Sequence, residues 1–170
     1  LFGDTRDFVR FVLEIGIFKG ASLKVWREWF PNAEVVGVDC DPAAIQDYGE
    51  RITAIHADIR KFTEEFTDNV REWDIIIDDG SHVYTDQIAA FDALFPRVIL
   101  GGWYVIEDVF LTTHWEGELG KIFHAMCDIA RDATRYRQSE SAADCHPYAK
   151  DIFSITFFDG LIAIRKRFAE

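Results

Sequence analysis

The chain has 170 residues, 49% of them apolar, which suits one domain with a sizeable core and leaves no room for two ordinary ones. Acidic residues outnumber basic ones 30 to 18, a formal net charge of −12, so DNA or RNA is repelled on average and nucleic acid is excluded as a general partner. No stretch approaches the roughly 20 consecutive apolar residues that cross a bilayer; Leu1 to Gly20 carries Asp4, Arg6, Asp7, Arg10 and Glu14 rather than an export signal, and the odd, irregularly spaced Cys40, Cys127 and Cys145 fit a reducing, cytoplasmic compartment.

Short β-rich runs alternate with amphipathic stretches from the start of the chain. Phe11 to Ile15, Glu34 to Val38, Ile52 to His56, Trp73 to Ile77 and Trp103 to Ile106 are the runs. Ser22 to Phe30 and Thr85 to Phe95 place apolar residues at helical spacing, and each ends beside a proline, Pro31 or Pro96, that resists continuation. This alternation predicts an α/β fold with a parallel sheet. The nearly unbroken apolarity of Ile75 to Ile77 predicts strands covered on both faces. Further on, His124 falls in an amphipathic helix, and the polar, aperiodic Arg135 to Lys150 reads as a long surface loop. Ile152 to Phe158 and Leu161 to Arg165, separated by Asp159-Gly160, predict an antiparallel hairpin at the end of the chain.

The first strand runs into LEIGIFKGAS, Leu13 to Ser22, where Glu14 precedes Gly16 and Gly20 and a helix follows. Glycines let the backbone approach a ligand closely, and the helix start at Ser22 offers free amides and a positive dipole end. A dinucleotide fold wants G-x-G-x-x-G here to seat a pyrophosphate; this chain has E-x-G-x-x-x-G. Glu14 is awkward beside phosphates and suits a cationic ligand, while Asp39, closing the second strand, can accept two ribose hydroxyls. S-adenosylmethionine has both a cationic end and a ribose. The blander reading is that the glycines serve a tight turn and helix packing.

LEIGIFKGAS, VVGVDCDP (Val35 to Pro42), HADI (His56 to Ile59), DIIIDDGSH (Asp74 to His82) and GGWYVIED (Gly101 to Asp108) together resemble the class I S-adenosylmethionine-dependent methyltransferases. The resemblance is strongest to the metal-dependent sugar O-methyltransferases of macrolide tailoring, the mycinamicin and tylosin type, and to cephalosporin hydroxylase-like relatives, and it runs from about Phe11 to Arg167. It implies a Rossmann-like three-layer sandwich with a seven-stranded, mostly parallel sheet whose last strand is antiparallel. It further implies cofactor contacts from Glu14, Gly16, Gly20, Ser22, Asp39 and Asp79, and an adenine contact from Asp58. Such enzymes usually carry an N-terminal segment that covers the cofactor or builds a homo-oligomer. Here ten residues precede the first strand, so the chain is expected to be a single methyltransferase domain, 1–170, without that extension.

Asp78-Asp79 and Glu107-Asp108 close the fourth and fifth strand runs, at the carboxyl edge where ligands collect in open α/β sheets. If those strands are neighbours, about 4.8 Å apart, Asp79, Glu107 and Asp108 can bring several oxygens to one point. Each acid taken singly reads as a helix N-cap or first-turn carboxylate. Three crowded together repel unless a cation sits among them, and an all-oxygen set favours Mg²⁺ over softer metals, with Mn²⁺ or Ca²⁺ as alternatives. The resemblance implies Mg²⁺ at these three positions. His82, three residues after Asp79, is a packing histidine taken alone; beside a metal edge its imidazole suits proton transfer at neutral pH, and the family's catalytic histidine falls at this position. His114 and Trp115 lie where an acceptor can rest, and Trp26 and Trp29 read as core or interface anchors. The implied function is Mg²⁺-dependent methylation of a hydroxyl on a sugar or glycosylated natural product. A cephalosporin hydroxylase-like oxygenation component and a non-catalytic cofactor-binding subunit are the alternatives.

Overall fold

Residues Leu13, Val36, Ile76 and Ile106 are buried on one face of a sheet, and their neighbours Val12, Val35, Ile77 and Val105 on the other, so the central strands must be covered twice. The computed structural model, which describes residues 2–61, 71–109, 118–138 and 144–168, shows how. Its strands are β1 (Phe11–Ile15), β2 (Glu34–Asp39), β3 (Ile52–His56), β4 (Trp73–Asp78), β5 (Val98–Val109), β6 (Ile152–Phe158) and β7 (Gly160–Lys166), in the spatial order β3-β2-β1-β4-β5-β7-β6. Strands β1 to β5 pair in parallel, whereas β7 is antiparallel to both β5 and β6. The expected architecture is thus present: a seven-stranded Rossmann-like sheet with an antiparallel hairpin, whose turn uses Gly160 at φ +75°.

Helix α1 (Ala21–Trp29) contributes Leu23 to the core on the Val12 face, where Phe30 and Trp103 also pack. Helices α2 (Tyr84–Leu94) and α3 (Glu118–Arg137) cover the Leu13 face, burying Ala90, Phe91 and Leu94 and Ile122, Met126, Ile129 and Ala133. The α3 spacing of four, three and four residues is a single apolar stripe, worth roughly 1.5–3 kcal/mol for each large side chain removed from water. Among the described residues no helix is long and apolar enough to cross a membrane.

Two expectations are corrected. The loop placed at Arg135 to Lys150 begins later, because α3 continues through Arg137, where that guanidinium donates to the Phe153 carbonyl at 3.0 Å. Tertiary docking onto β6 extends a helix that polarity alone would end. Strand β5 is also far longer than Trp103 to Ile106, since β4 on one side and β7 on the other supply ladder partners beyond the apolar run. Trp26 stacks on Phe30, while Trp29 is 45% exposed with Arg6 over its ring, so only the first is a core contact.

Candidate active site

Each of the first five strands points its carboxyl end to one edge, and the turns leaving β1, β2 and β4 interlock there. Gly16 donates its amide to the Val38 carbonyl at 2.8 Å, and Asp79 donates to the Ile15 carbonyl at 3.0 Å. Gly16 has φ +91°, and a β-carbon there would sit 2.1 Å from the Asp79 carbonyl oxygen. Gly20 has φ +70°, and a β-carbon there would meet the Tyr48 ring at 2.1 Å. Both glycines are therefore demanded by the chain's own packing, and at Gly16 that packing is what seats Asp79 beside the first turn. Gly20 also caps α1 without a side-chain bond, leaving the first amides of the helix available to a ligand.

Asp39 holds this turn from below. Its Oδ2 accepts from the amides of Ile17 and Phe18 at 2.8 and 3.1 Å, and its Oδ1 from the amide of Asp41 at 2.8 Å. Burial works against its charge, but the amides of Asp41, Phe18, Ile17 and Cys40 outweigh it and hold the carboxyl below the ordinary aspartate range. With Oδ2 taken twice, acceptor capacity remains on Oδ1 alone, for one hydroxyl where two were expected.

Glu14 is 1% exposed inside the sheet, and its Oε2 has no hydrogen-bond partner. Burial pushes its carboxyl up to about 7; the Asp79 and Glu107 charges add to the shift, and a hydrogen bond with Ser22 opposes it. A cation brought to this point would favour the ionised form of this acid and oppose the effect of burial. Asp78 points to the opposite face, where burial pushes it up to about 7 against weak donation from the Gly80 amide and the Tyr104 hydroxyl, at 3.4 and 3.5 Å.

At the rim, Asp79, His82 and Asp108 offer ligand atoms that all lie within 4.8 Å of one another, with His82 Nε2 3.6 Å from Asp108 Oδ2. Two backbone irregularities aim them. The β5·β7 pairing shifts register between Glu107 and Val109, leaving Asp108 as a bulge at φ +55°, and His82 sits at φ +56° in its turn. Non-glycine residues rarely adopt such angles, and here both point into one site. Glu107, one residue before the bulge, lies outside this tight group but is coupled to it: burial, Asp79 and Asp108 all raise its carboxyl. Burial and Asp108 likewise raise Asp79, with His82 opposing. Among the described residues this is where His and carboxylate ligands converge at metal-binding distance, and a divalent cation would relieve the repulsion.

Two cavities meet over the Gly16 turn, sharing Gly16, Asp39 and Gly80. The larger, about 580 Å³, reaches Ser22, Asp79, His82 and Asp108; the other, about 230 Å³, is lined by Ile15, Val38, Ala57 and Asp58. Of the residues expected from sequence, Gly16, Ser22, Asp39, Asp58, Asp79, His82 and Asp108 line these two cavities, whereas Glu14, Gly20 and Glu107 are not in their lining. Sequence reasoning passed over Arg60, which grips Asp58, because an arginine two residues from an acid carries no motif signal. His56 bonds the Cys40 carbonyl at 3.1 Å, as a structural histidine does, and His146 lies near Asp92 and Asp132 on the α2 and α3 side. His114 and Trp115 lie outside the described residues.

A family model described as a methyltransferase domain matches residues 13–109. L-olivosyl-oleandolide 3-O-methyltransferase of Streptomyces antibioticus is 38% identical over 120 residues, 66% of this chain and 31% of that protein. Mycinamicin VI 2''-O-methyltransferase of Micromonospora griseorubida is 38% identical over 128 residues, 68% of this chain and 31% of that protein. The solved structure of the MycE methyltransferase of the mycinamycin pathway, in complex with Mg, SAH and mycinamycin VI, aligns at TM-score 0.80 and 28% identity, covering 98% of this chain and 46% of that one. The chain spans about a third of the length of the curated relatives it matches.

Proposed function

Because the chain belongs to the methyltransferase-domain family, we propose that it forms the catalytic core of an O-methyltransferase that moves a methyl group from S-adenosylmethionine to a sugar hydroxyl of a glycosylated natural product, with Mg²⁺ as metal. The observation that carries this reading is the meeting of Asp79, His82 and Asp108 within 4.8 Å beside the cavity that the first turn lines. The named relatives support it, since they methylate oxygens of macrolide and tetracenomycin compounds, and the MycE structure holds Mg and SAH.

Glu14, with its orphaned Oε2, stands ready for the cationic end of the cofactor beside Ser22 at the start of α1. Gly16 and Gly20 shape the turn beneath the cofactor, Asp39 Oδ1 accepts a ribose hydroxyl, and Asp58 faces the adenine. Asp79, Glu107 and Asp108 would hold Mg²⁺, which when bound lowers the pKa of an acceptor hydroxyl and fixes its orientation. His82 Nε2, the nitrogen facing the acidic rim, accepts the hydroxyl proton as that oxygen attacks the methyl carbon and the carbon–sulfur bond breaks. The products are the methyl ether, S-adenosylhomocysteine and a proton on His82. Orientation of the acceptor and charge complementarity supply most of the rate. The site suits a small hydroxylated molecule rather than nucleic acid or a membrane surface.

The test is transfer of labelled methyl from the cofactor to a panel of diol-bearing glycosides, with and without chelator. Chelator-sensitive O-methyl products are expected. Tight cofactor binding with no transfer to any acceptor would identify a binding subunit instead, and an oxygenated product would identify the hydroxylase-like alternative, which none of the named relatives favours.

A further inference from the structure

The smaller cavity is lined by an acid that is not free. Asp58 Oδ1 accepts from the Arg60 amide at 3.1 Å and from Arg60 Nε at 2.8 Å, and its Oδ2 accepts from Arg60 Nη2 at 2.8 Å. One residue thus supplies all three of these bonds, two of them the parallel fork of a guanidinium on a carboxylate. Lys61 Nζ adds a looser ion pair at 3.7 Å, from a side chain that is 79% exposed. Both Asp58 and Arg60 line the cavity, and Arg60 is the one basic residue among its described lining, which also holds Asp39 and Asp86. Exposed ion pairs of this kind contribute little to stability, so the fork's consequence is geometric: it fixes the plane of the carboxylate. With Oδ1 occupied twice, the acceptor capacity left on Asp58 is on Oδ2, in one orientation.

We propose that Arg60 is a positioning residue for purine recognition: by clamping Asp58 it holds a single, fixed acceptor in the lining of the apolar cavity, which selects a 6-amino purine over a 6-oxo purine. This rests on the reading of the two joined cavities as the site of an adenosyl cofactor. A 6-amino group donates a hydrogen to Oδ2, whereas a 6-oxo group presents a second acceptor to a carboxylate that has nothing to donate. The Arg60 contacts hold Asp58 low, at about 2, so the carboxylate stays acceptor-only throughout the neutral range. Without the clamp Asp58 can rotate about its side-chain bonds, and the 6-oxo ligand meets less repulsion while the 6-amino ligand loses a preset partner.

The test is calorimetric titration of the protein with S-adenosylhomocysteine and with S-inosylhomocysteine, which differ at position 6 and in the adjoining N1, an acceptor in the first and an N–H donor in the second that only a carboxylate free to rotate can follow. The wild type should prefer the adenosyl ligand by roughly tenfold or more, the worth of one hydrogen bond to a charged group. Arg60→Ala should bring the two affinities to within about threefold of each other, with an unchanged melting temperature because the Arg60 side chain is 60% exposed. Arg60→Lys restores the charge but cannot grip both oxygens, so its ratio should stay low. A full wild-type preference in Arg60→Ala, its recovery in Arg60→Lys, or equal wild-type affinities would each overturn the role of Arg60 while leaving the cofactor site standing. Failure of the wild type to bind S-adenosylhomocysteine at all would instead remove the cofactor reading on which the role depends.

Discussion

Replacing Gly16 by alanine puts a methyl group where two strand-end turns already touch. The added carbon would stand 2.1 Å from the Asp79 carbonyl oxygen, 2.8 Å from its carbonyl carbon and 3.2 Å from Gly80 Cα, all backbone atoms that cannot swing aside. Its φ of +91° adds the cost of a left-handed conformation, about 1–2 kcal/mol, to an overpacking cost of about 1–3 kcal/mol. The expected loss is therefore about 2–5 kcal/mol, or roughly 4–20 °C in melting temperature for a chain of this size. Gly160→Ala separates the two contributions, because Gly160 shares a positive φ, +75°, yet has nothing within 4 Å of the new carbon. That control should lose only the backbone part, about 1–2 kcal/mol. Urea unfolding of both variants, compared at equal m-value, gives the difference directly. If Gly16→Ala were no less stable than Gly160→Ala, the contact between the first turn and Asp79 would not be the constraint inferred here.

Three further outcomes are expected. His82→Ala should lower turnover by about 10²–10⁴ while leaving S-adenosylhomocysteine affinity within a few-fold, as loss of a general base does; near-wild-type turnover in a coupled assay would remove His82 from the reaction. Asp108→Asn should raise the Mg²⁺ concentration needed for half-maximal activity by roughly 10-fold or more, and an unshifted titration would show that the bulge does not present a ligand. The third concerns Glu14, whose carboxyl binds its proton up to about 7 in the folded chain against 4.5 as reference. In the ligand-free protein that stabilisation is full below about 4.5 and is lost as pH rises toward 7, on the order of 3 kcal/mol in total. Glu14→Gln should flatten this part of the stability profile and gain on the wild type as pH rises to 8; parallel profiles for the two proteins would refute the effect of burial on Glu14.

Much of the site was readable because it is built from local signals. Glycines at fixed spacing after an apolar run, an acid closing each of several strands and a histidine three residues past Asp79 are features of sequence neighbourhoods, and they pointed to one sheet edge. The limits of local reading show at particular residues. Asp39 looks like a free carboxylate in VVGVDCDP, but three amides from two turns already occupy most of it. Gly16 and Gly20 look like room for a ligand, and the nearest atoms to each are protein. Asp78 and Asp79 are adjacent in sequence yet have different surroundings, Asp78 as the last residue of β4 beside Tyr104 and Asp79 just past the strand end beside His82.

The order of apolar runs, their lengths and the Asp159-Gly160 turn suffice to specify a parallel α/β sheet closed by a hairpin, because hydrophobic period and backbone freedom are properties of short segments. Convergence is of another kind. That Asp108 occupies a bulge against β7, that His82 turns back toward it, and that Glu14 Oε2 is left buried without a partner depend on strands brought side by side from distant parts of the chain. Ladder register and burial fix those positions, and both arise only between elements, which is why the chemistry of the edge was decided by the tertiary structure.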